Sequence, residues 1–278
     1  MTIKRIFSDM DGTLLNSQGQ LSDSNAKLIR ESQIPMTLVS ARAPMEMRAA
    51  IDKLGLTGPQ VGFNGGLIYE IKDGTIHPLH VNSLHQETAS QLIQTVRQHF
   101  PTVSLSYYDL THWYCDTIDE GIRYEYQLTG CAPTLIHDPA AFLQAPLNTF
   151  KIMLICFEEE SMQALEKHLI SLGLSDISIQ RSGAFYLEIT SHQAKKSQGI
   201  AYILKKEGLH AHETAAFGDG HNDLPMLEMV GHPIVMKNAF DEVKAVARHI
   251  TKTNDEDGVG YGIKKYLKKK QIHLGFGA

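Results

Sequence analysis

Cysteine is scarce in this sequence, and long hydrophobic runs are absent. The three cysteines, Cys115, Cys131 and Cys156, are widely separated and form no CxxC pair. Neither a disulfide framework nor a zinc site is therefore indicated, and a reducing compartment fits. No apolar stretch is long enough to span a bilayer, and no secretory hydrophobic region follows Met1, so we expect a cytoplasmic protein that does not bind membranes.

The chain also lacks an excess of basic residues. Its formal net charge is −5 over 278 residues, whereas a broad nucleic-acid-binding surface usually needs a basic domain. Hydrophobic residues make up 42% and charged residues 21%, as is ordinary for a globular enzyme. The length predicts one large domain or two modest ones, and the charge argues against nucleic acid as a partner.

Both ends of the chain alternate between short apolar strands and helices. Strand-like segments at residues 5–8 and 36–39 end at polar residues, and a helical segment at 196–206 precedes a strand at 214–217. This alternation predicts an α/β fold in which a doubly wound, Rossmann-like parallel sheet has helices on both faces. The middle of the chain has aromatic strands and longer helices, which indicate an α+β insertion.

The strongest chemical signal is the segment 9–13, in which Asp9 and Asp11 come directly after the first strand. Two carboxylates two residues apart at the carboxyl end of a strand can both face the crevice in which such sheets bind ligands. A carboxylate nucleophile and a neighbouring acid/base are what covalent phosphoryl transfer needs. The alternative is a plain Asp-Gly turn, although chance produces such a pentapeptide in only about one chain of this length in two hundred.

A second acidic segment, residues 218–223, also follows an apolar strand and contains Asp219 and Asp223. Brought near Asp9 and Asp11, these carboxylates would need a cation, because several like charges close together do not stay ionised cheaply. Oxygen ligands suit a hard ion such as Mg²⁺, which also takes a substrate phosphate oxygen. The alternative is another Asp/Gly loop in which Asn222 caps a helix.

Two further positions are candidates for phosphate binding. Ser40 ends the second strand and offers a hydroxyl and backbone N–H groups near a helix start, although it also fits a simple N-cap. Lys196 opens a helix, where the helix dipole disfavours a cation unless an anion is nearby. An exposed lysine is the alternative at that position, and Lys195 is a rival for the role.

Aromatic residues are concentrated in the inserted segment. One hypothesis is that they line a lid over the substrate. The alternative is that alternate strand residues pack into the insertion's own core. The group comprises Tyr107, Tyr108, His112, Trp113 and Tyr114.

Together these segments resemble the four motifs of the haloacid dehalogenase (HAD) superfamily of phosphatases. Residues 9–13 resemble motif I, Ser40 motif II, Lys196 motif III and residues 218–223 the GDGxND form of motif IV. Other stretches are similar to the Cof-type subgroup, so that the resemblance covers the whole chain: Asn64-Gly65, residues 187–189, 236–239 and 254–260.

The spacing of the motifs distinguishes the kind of inserted domain. Too few residues lie between Asp11 and Ser40 for an insertion, whereas there is ample room between Ser40 and Lys196. The resemblance then implies a type-2 α/β cap, as in subfamily IIB, which determines substrate specificity. We expect a HAD-like catalytic core formed by residues 1–81 and 190–278 and a cap at residues 82–189.

The resemblance implies a Mg²⁺-dependent phosphatase that acts on a small phosphorylated metabolite, such as a sugar phosphate or a phosphorylated cofactor. In that scheme Asp9 is the nucleophile of an aspartyl-phosphate intermediate, and Asp11 is the general acid/base. The implied metal ligands are Asp9, Asp11 (through a carbonyl or carboxylate oxygen), Asp219 and Asp223. The implied phosphate contacts are the Met10 backbone, Ser40, Ala41, Lys196 and Asn222. The candidate specificity residues are Arg42, Asn64, Tyr108 and Trp113.

Two other functions remain open on the sequence. A phosphotransferase or phosphomutase of the same fold would move phosphate between sugar oxygens. A non-catalytic sensor of a phosphorylated metabolite would be expected to lose Asp9 or Asp11, and this chain keeps both. The expected partner is a small metabolite, and the sequence is compatible with a monomer without fixing the oligomeric state.

Overall fold

A computed structural model describes residues 2–145 and 147–267 of the chain. The chain divides into two compact units: the first comprises Met1–Val39, Ala50–Gly58 and Ile200–Ala278, and the second comprises Ser40–Ala49 and Pro59–Gly199. The last part of the predicted core, residues 268–278, lies outside the described residues. The second unit takes in more of the chain than the cap expected at 82–189, and those cap boundaries stay a prediction.

The strands and helices of the described residues are numbered in chain order. The strands are β1 (Arg5–Ser8), β2 (Met36–Leu38), β3 (Gln60–Gly62), β4 (Leu67–Lys72), β5 (Thr75–Val81), β6 (Ser104–Tyr108), β7 (Trp113–Cys115), β8 (Thr134–Leu135), β9 (Lys151–Ile155), β10 (Ile177–Arg181), β11 (Tyr186–Ser191), β12 (Thr214–Gly218), β13 (His232–Val235) and β14 (His249–Ile250). The α-helices are α1 (Asp23–Arg30), α2 (Pro44–Leu54), α3 (Gln86–His99), α4 (Glu120–Thr129), α5 (Pro139–Gln144), α6 (Glu159–Ser171), α7 (Lys196–Glu207), α8 (Leu224–Leu227), α9 (Asp241–Lys244) and α10 (Gly258–Gly262).

The first unit contains a five-stranded sheet in the order β14-β13-β12-β1-β2. Every pairing in this sheet is parallel, and Phe7 of β1 lies opposite Ala216 of β12 and Thr37 of β2. All residues of β1 and β12 are buried, as expected for central strands that are covered on both faces. Since the strands are parallel, the loops after β1 and β12 leave the sheet at the same edge.

The second unit contains two other sheets. A six-stranded sheet has the order β10-β11-β9-β6-β7-β8 and is antiparallel except between β7 and β8. A three-stranded antiparallel sheet has the order β3-β4-β5. A parallel sheet core with a separate antiparallel sheet confirms the predicted fold class.

One face of the six-stranded sheet is covered by the apolar residues of α3 and α6. Because side chains alternate along a strand, only every second strand residue joins this core. The core includes Leu92, Val96, Leu105, Tyr107, Ile152, Leu154, Met162, Leu165, Leu187 and Ile189. The intervening strand residues, which are considerably more polar, lie on the opposite face.

No helix within residues 2–145 and 147–267 is both long enough and apolar enough to cross a membrane.

Candidate functional site

Three carboxylates gather after the central strands of the first unit. Asp9 comes directly after β1, and Asp219 and Asp223 come after β12. One carboxylate oxygen from each lies within 4.8 Å of the other two, and Asp9 and Asp223 are buried. Three negative charges at this separation repel one another, which a bound cation would offset. The all-oxygen donor set fits a hard divalent ion such as Mg²⁺.

Asp11, the fourth carboxylate of the predicted site, is placed differently. Its side chain is exposed, and it does not belong to the group of three. Its backbone is extended, with φ −77° and ψ 125°, and it is followed by Gly12 in the left-handed region. An exposed carboxylate beside the group of three is accessible to solvent and to a bound ligand, as a group that exchanges protons must be.

The position of Asp9 is determined by the sheet itself. Its backbone N–H donates to the Phe217 carbonyl at 3.0 Å, which extends the pairing of β1 with β12 by one residue. The buried Ser8 hydroxyl donates to the Asp9 carbonyl at 2.8 Å. Both backbone groups of Asp9 are therefore hydrogen-bonded at the end of β1, which fixes the point from which its side chain extends.

Asp223 folds the second acidic loop around its own carboxylate. One of its oxygens, Oδ2, accepts hydrogen bonds from the backbone N–H groups of Asp219 and Gly220, each at 3.0 Å. Two N–H donors offset much of the negative charge on this oxygen. Gly218 is packed so closely against Asp223 that a Cβ at this position would lie 2.7 Å from the Asp223 Cβ.

Thr13 and Gly12 hold Asp219 from the opposite side. The Thr13 hydroxyl donates to Asp219 Oδ1 at 2.6 Å, across 206 positions of sequence. Gly12 has φ +73° and lies against the Asp219 carboxylate, so a larger residue would be strained and would also collide. Thr13 was part of the predicted motif but was assigned no role, because its partner is set by the tertiary fold.

Two asparagines outside the four motifs anchor the same loop. The Asn238 amide donates to the Gly12 carbonyl at 2.8 Å, and its oxygen accepts from the Asn254 N–H at 3.0 Å. The Asn254 amide donates in turn to the Leu15 carbonyl at 3.0 Å. Their only signal in the sequence was that both lie in stretches similar to the Cof-type subgroup.

We expect Thr13→Val to weaken the binding of Mg²⁺ because it removes the hydroxyl that orients Asp219 while preserving side-chain volume. Loss of such a hydrogen bond to a metal ligand typically lowers metal affinity about 10–100-fold. Isothermal titration with Mg²⁺ measures the change, and Thr13→Ser, which keeps the donor, is the matched control. Unchanged affinity in a folded Thr13→Val protein would contradict a role for this contact in the metal site.

The predicted phosphate-binding residues of the second unit lie on loops that contact one another. The Ser40 carbonyl accepts from the Asn64 N–H at 2.8 Å, and its hydroxyl accepts from the Arg42 N–H at 3.1 Å. Gly65, with φ +102°, packs directly against the backbone of Lys195. The loop at 40–42, the turn at 63–65 and the start of α7 are thereby joined.

The remaining predicted phosphate contacts are distributed between the two units. Lys196 is buried at the first residue of α7, with 3% exposure, whereas Lys195 is exposed. Ala41, next to Ser40, is half-buried. In the first unit Met10 is buried between Asp9 and Asp11, and Asn222 is exposed in the second acidic loop.

Two of the candidate specificity residues stack on each other inside the second unit. The rings of Tyr108 and Trp113 are 6.0 Å apart at an angle of 14°, and both side chains are buried. Phe63 meets Tyr108 edge-on at 6.2 Å and precedes Asn64, a third candidate, in the chain. The expected alternation also holds, because Tyr107 belongs to the apolar core on the other face of the sheet.

Comparison with known proteins places these features in one family. The sequence model of the haloacid dehalogenase-like hydrolase family matches residues 6–263 of this chain. A 5-amino-6-(5-phospho-D-ribitylamino)uracil phosphatase of Bacillus subtilis is 26% identical over 288 residues, which cover 95% of this chain and 98% of that protein. The crystal structure of a haloacid dehalogenase-like hydrolase from Bacteroides thetaiotaomicron is 27% identical, with a TM-score of 0.85 over 95% of this chain and 99% of that chain. The structure of a subclass IIB sugar phosphatase shares the fold at 20% identity, with a TM-score of 0.76 over 94% of this chain and 98% of that one.

Proposed function

We propose that this chain, which belongs to the haloacid dehalogenase-like hydrolases and is a phosphoric monoester hydrolase, uses Asp9 to form an aspartyl-phosphate intermediate in a Mg²⁺-dependent reaction. The observation that carries the proposal is the group formed by Asp9, Asp219 and Asp223, with carboxylate oxygens within 4.8 Å of one another. One member of this group follows the central strand β1 and the others follow its neighbour β12, where parallel sheets bind ligands.

The proposed reaction has two half-reactions, in which Asp9 is first the nucleophile and then the leaving group, and Asp11 is first the acid and then the base. In the first, an Asp9 carboxylate oxygen bonds to phosphorus, the bond from phosphorus to the leaving oxygen breaks, and Asp11 gives that oxygen a proton. In the second, the Asp11 carboxylate takes a proton from water, whose oxygen bonds to phosphorus while the bond to Asp9 breaks. Inorganic phosphate leaves, and both aspartates return to their starting state.

The metal and the phosphate contacts allow two anions, the Asp9 carboxylate and the phosphoryl group, to approach each other. Mg²⁺, held by Asp9, Asp219 and Asp223 with an oxygen of Asp11, would offset the charge on the carboxylate and the phosphoryl group. We propose that the phosphoryl group of the substrate is bound by the Met10 backbone, the Ser40-Ala41 segment, Lys196 and Asn222. The fixed Ser40 loop and the buried Lys196 ammonium support this assignment, because donors held in advance need no reorganisation during reaction.

The substrate of the proposed reaction is a small phosphorylated metabolite, either a sugar phosphate or a phosphorylated cofactor. Two names support this choice of substrates: one relative is named a 5-amino-6-(5-phospho-D-ribitylamino)uracil phosphatase, and one protein of the same fold is named a sugar phosphatase. We assign selection among such substrates to the cap at residues 82–189. The cytoplasm is the proposed compartment, and the three unpaired cysteines support it.

We expect phosphate release to depend absolutely on a divalent metal. EDTA should abolish release from p-nitrophenyl phosphate, and Mg²⁺ should restore it. Ca²⁺ should support activity poorly, because its longer and looser coordination misplaces the phosphoryl group. A malachite-green assay in the three conditions measures the effect, and full activity in EDTA would refute the proposed site.

The same assay separates hydrolysis from phosphotransfer. With a sugar phosphate and a surplus of unphosphorylated sugar, a phosphatase should release one inorganic phosphate for each dephosphorylated product. A deficit of free phosphate, matched by newly phosphorylated acceptor, would identify a transferase instead.

A further inference from the structure

A cavity opens into the first unit at the amino ends of its central strands. It has a volume of about 400 Å³ and is lined in part by Arg5 and Met36, the first residues of β1 and β2. Asp9 lies four residues further along the chain than Arg5, after the other end of β1. At about 3.3 Å per strand residue, these two positions are roughly 13 Å apart. The cavity is therefore separate from the group of three carboxylates, and its volume suits a small organic ligand.

The cavity has an apolar floor and a polar rim. Ile29, Met36 and Leu54 are buried and line the floor, whereas Arg30 and Gln33 are exposed and line the rim. No aromatic residue is among the described residues that line it, so the cavity offers no ring on which a base could stack. Apolar surface favours the burial of an aliphatic group. The floor therefore suits the aliphatic part of a ligand.

Arg5 brings a buried guanidinium to the cavity. It is 7% exposed, its Nε and Nη2 donate to the two carboxylate oxygens of Glu207 at 2.7 and 2.6 Å, and its Nη1 donates to the Thr37 hydroxyl at 3.1 Å. A guanidinium has five N–H donors, so one N–H on Nη1 and one on Nη2 have no acceptor among the described residues. Buried donors are nearly always paired, and two terminal N–H groups match the two oxygens of a carboxylate.

Gly58 leaves the terminal nitrogens of this guanidinium uncovered. Gly58 also lines the cavity, and a Cβ at its position would lie 3.5 Å from Arg5 Nη1 and 3.8 Å from Nη2. These are ordinary contact distances, and the φ of Gly58 lies outside the left-handed region. The backbone therefore does not require glycine here. What the missing side chain provides is access to the two nitrogens that each have an unpaired N–H.

The charged groups at the cavity carry one excess positive charge. The charge of Arg5 is balanced by that of Glu207, which accepts two of its hydrogen bonds. Arg30 adds a second guanidinium, whose Nη1 donates to an uncharged acceptor, the Lys53 carbonyl, at 2.6 Å. The described residues that line the cavity include no Asp or Glu. A ligand with a single negative charge would balance this excess, whereas a dianion would exceed it.

Helices α1 and α2 both end beside the cavity, and unpaired carbonyl groups at a helix end repel an anion. Here the Arg30 carbonyl accepts from the Gln33 N–H at 3.2 Å, and the Asp52 carbonyl accepts from the Gly55 N–H at 3.1 Å. The Lys53 carbonyl accepts from the guanidinium of Arg30. These hydrogen bonds reduce the repulsion at both helix ends, and the charge of Arg30 opposes the dipole of α2.

We propose that this cavity is a second ligand site, which binds a small aliphatic carboxylate. The carboxylate accepts two parallel N–H bonds from the terminal nitrogens of Arg5 and is attracted by Arg30. The aliphatic part of the ligand covers Ile29, Met36 and Leu54. The inference does not depend on the proposed reaction, because the cavity lies at the opposite end of β1 from Asp9.

Titration of protein with ¹³C-labelled isoleucine and methionine methyl groups tests the site, with hexanoate as the probe and no metal present. We expect saturable shifts at the methyl groups of Ile29, Ile34 and Met36 and a Kd of about 1 mM, as is usual for a ligand of this size. Acetate lacks the aliphatic part, 1-hexanol lacks the charge and hexylammonium reverses it, so each should bind at least about tenfold more weakly. Equal affinity for hexanoate and 1-hexanol, or shifts confined to other methyl groups, would overturn the inference.

Gly58→Ala tests the contact with Arg5 without disturbing the bonds of Arg5 to Glu207 and Thr37. The added methyl group covers Nη1 and Nη2 at ordinary contact distances, and it should weaken hexanoate binding at least about tenfold. Turnover of p-nitrophenyl phosphate should be unchanged in this variant, and hexanoate should not compete with that substrate. Unchanged affinity for hexanoate in Gly58→Ala, or competitive inhibition of the normal protein by hexanoate, would show that the probe binds elsewhere.

Arg30→Gln tests the contribution of the second guanidinium. Because Arg30 is exposed, its removal should weaken hexanoate binding by only about two- to fivefold. The matched control is Arg248→Gln: Arg248 is also exposed and donates its Nη1 to a backbone carbonyl, that of Gly231 at 3.0 Å, but it does not line the cavity. Equal losses of affinity in Arg30→Gln and Arg248→Gln would contradict the assignment of the carboxylate to this rim.

Discussion

Asp9→Asn should abolish formation of a phosphoenzyme with every substrate and lower kcat/KM by at least about four orders of magnitude. An amide oxygen is a far weaker nucleophile than a carboxylate, and the substitution also removes one of the three charges that would hold the metal. The change in shape is small, and the backbone bonds of Asp9 to Phe217 and Ser8 do not involve the side chain. The protein should therefore fold normally and fail at the first chemical step.

Asp11→Asn provides the informative comparison, because Asp11 should act unequally in the two half-reactions. A leaving group as acidic as p-nitrophenol departs without much help from a proton, whereas a sugar alkoxide needs one. Hydrolysis of the aspartyl phosphate always needs a base for water. Asp11→Asn should accept phosphate from p-nitrophenyl phosphate and then stall, giving a burst of nitrophenol followed by slow turnover.

Rapid-quench mass spectrometry decides between these roles. The stalled Asp11→Asn protein should carry about 80 Da on Asp9, the mass of one phosphoryl group added to a side chain. The exposure of Asp11 and the burial of Asp9 support this division of labour. A protein with Asp9→Asn that keeps substantial activity, together with no burst and no adduct in Asp11→Asn, would show that nucleophile and acid/base have been assigned wrongly.

The parts of this molecule that local sequence determines were predictable. Short apolar segments that end in Asp9 and in Gly218 indicate buried parallel strands, and the carboxyl ends of such strands meet at one edge of the sheet. The gathering of Asp9 with Asp219 and Asp223 follows from that rule without any knowledge of the distances. The fold class and the family were therefore accessible from the pattern, and both are confirmed.

The parts that depend on register and on distant partners were not predictable. Tyr107 and Tyr108 are adjacent and chemically alike, yet only one joins the apolar core, because a shift of one residue reverses every side chain of a strand. Nothing in the sequence distinguishes Lys151, the first residue of β9, since a lysine at the start of an apolar strand usually reaches solvent. Only the pairing of β9 with β6 shows that it lies over the Tyr108 ring.

Lys196→Ala should lower kcat/KM by at least about two orders of magnitude, as expected when a charge that stabilises the transition state is removed. Lys196 is 3% exposed at the first residue of α7, a position where the helix dipole raises the energy of a cation. A protein retains a buried ammonium at such a place when negative charge is close to it, and the phosphoryl group of the substrate brings further negative charge to it in the proposed reaction.

Lys195→Ala is the matched control, because it removes the same charge one residue earlier in the chain. Lys195 is exposed, and what packs against Gly65 is its backbone, which alanine keeps. Its kcat/KM should change by no more than about threefold, as for a surface charge screened by solvent. If Lys196 only stabilised the fold, Lys196→Ala would have a lower thermal midpoint, but its kcat/KM would be near normal at a temperature where the protein is folded. That result, or a larger loss for Lys195→Ala than for Lys196→Ala, would show that the phosphate-binding lysine has been assigned to the wrong residue.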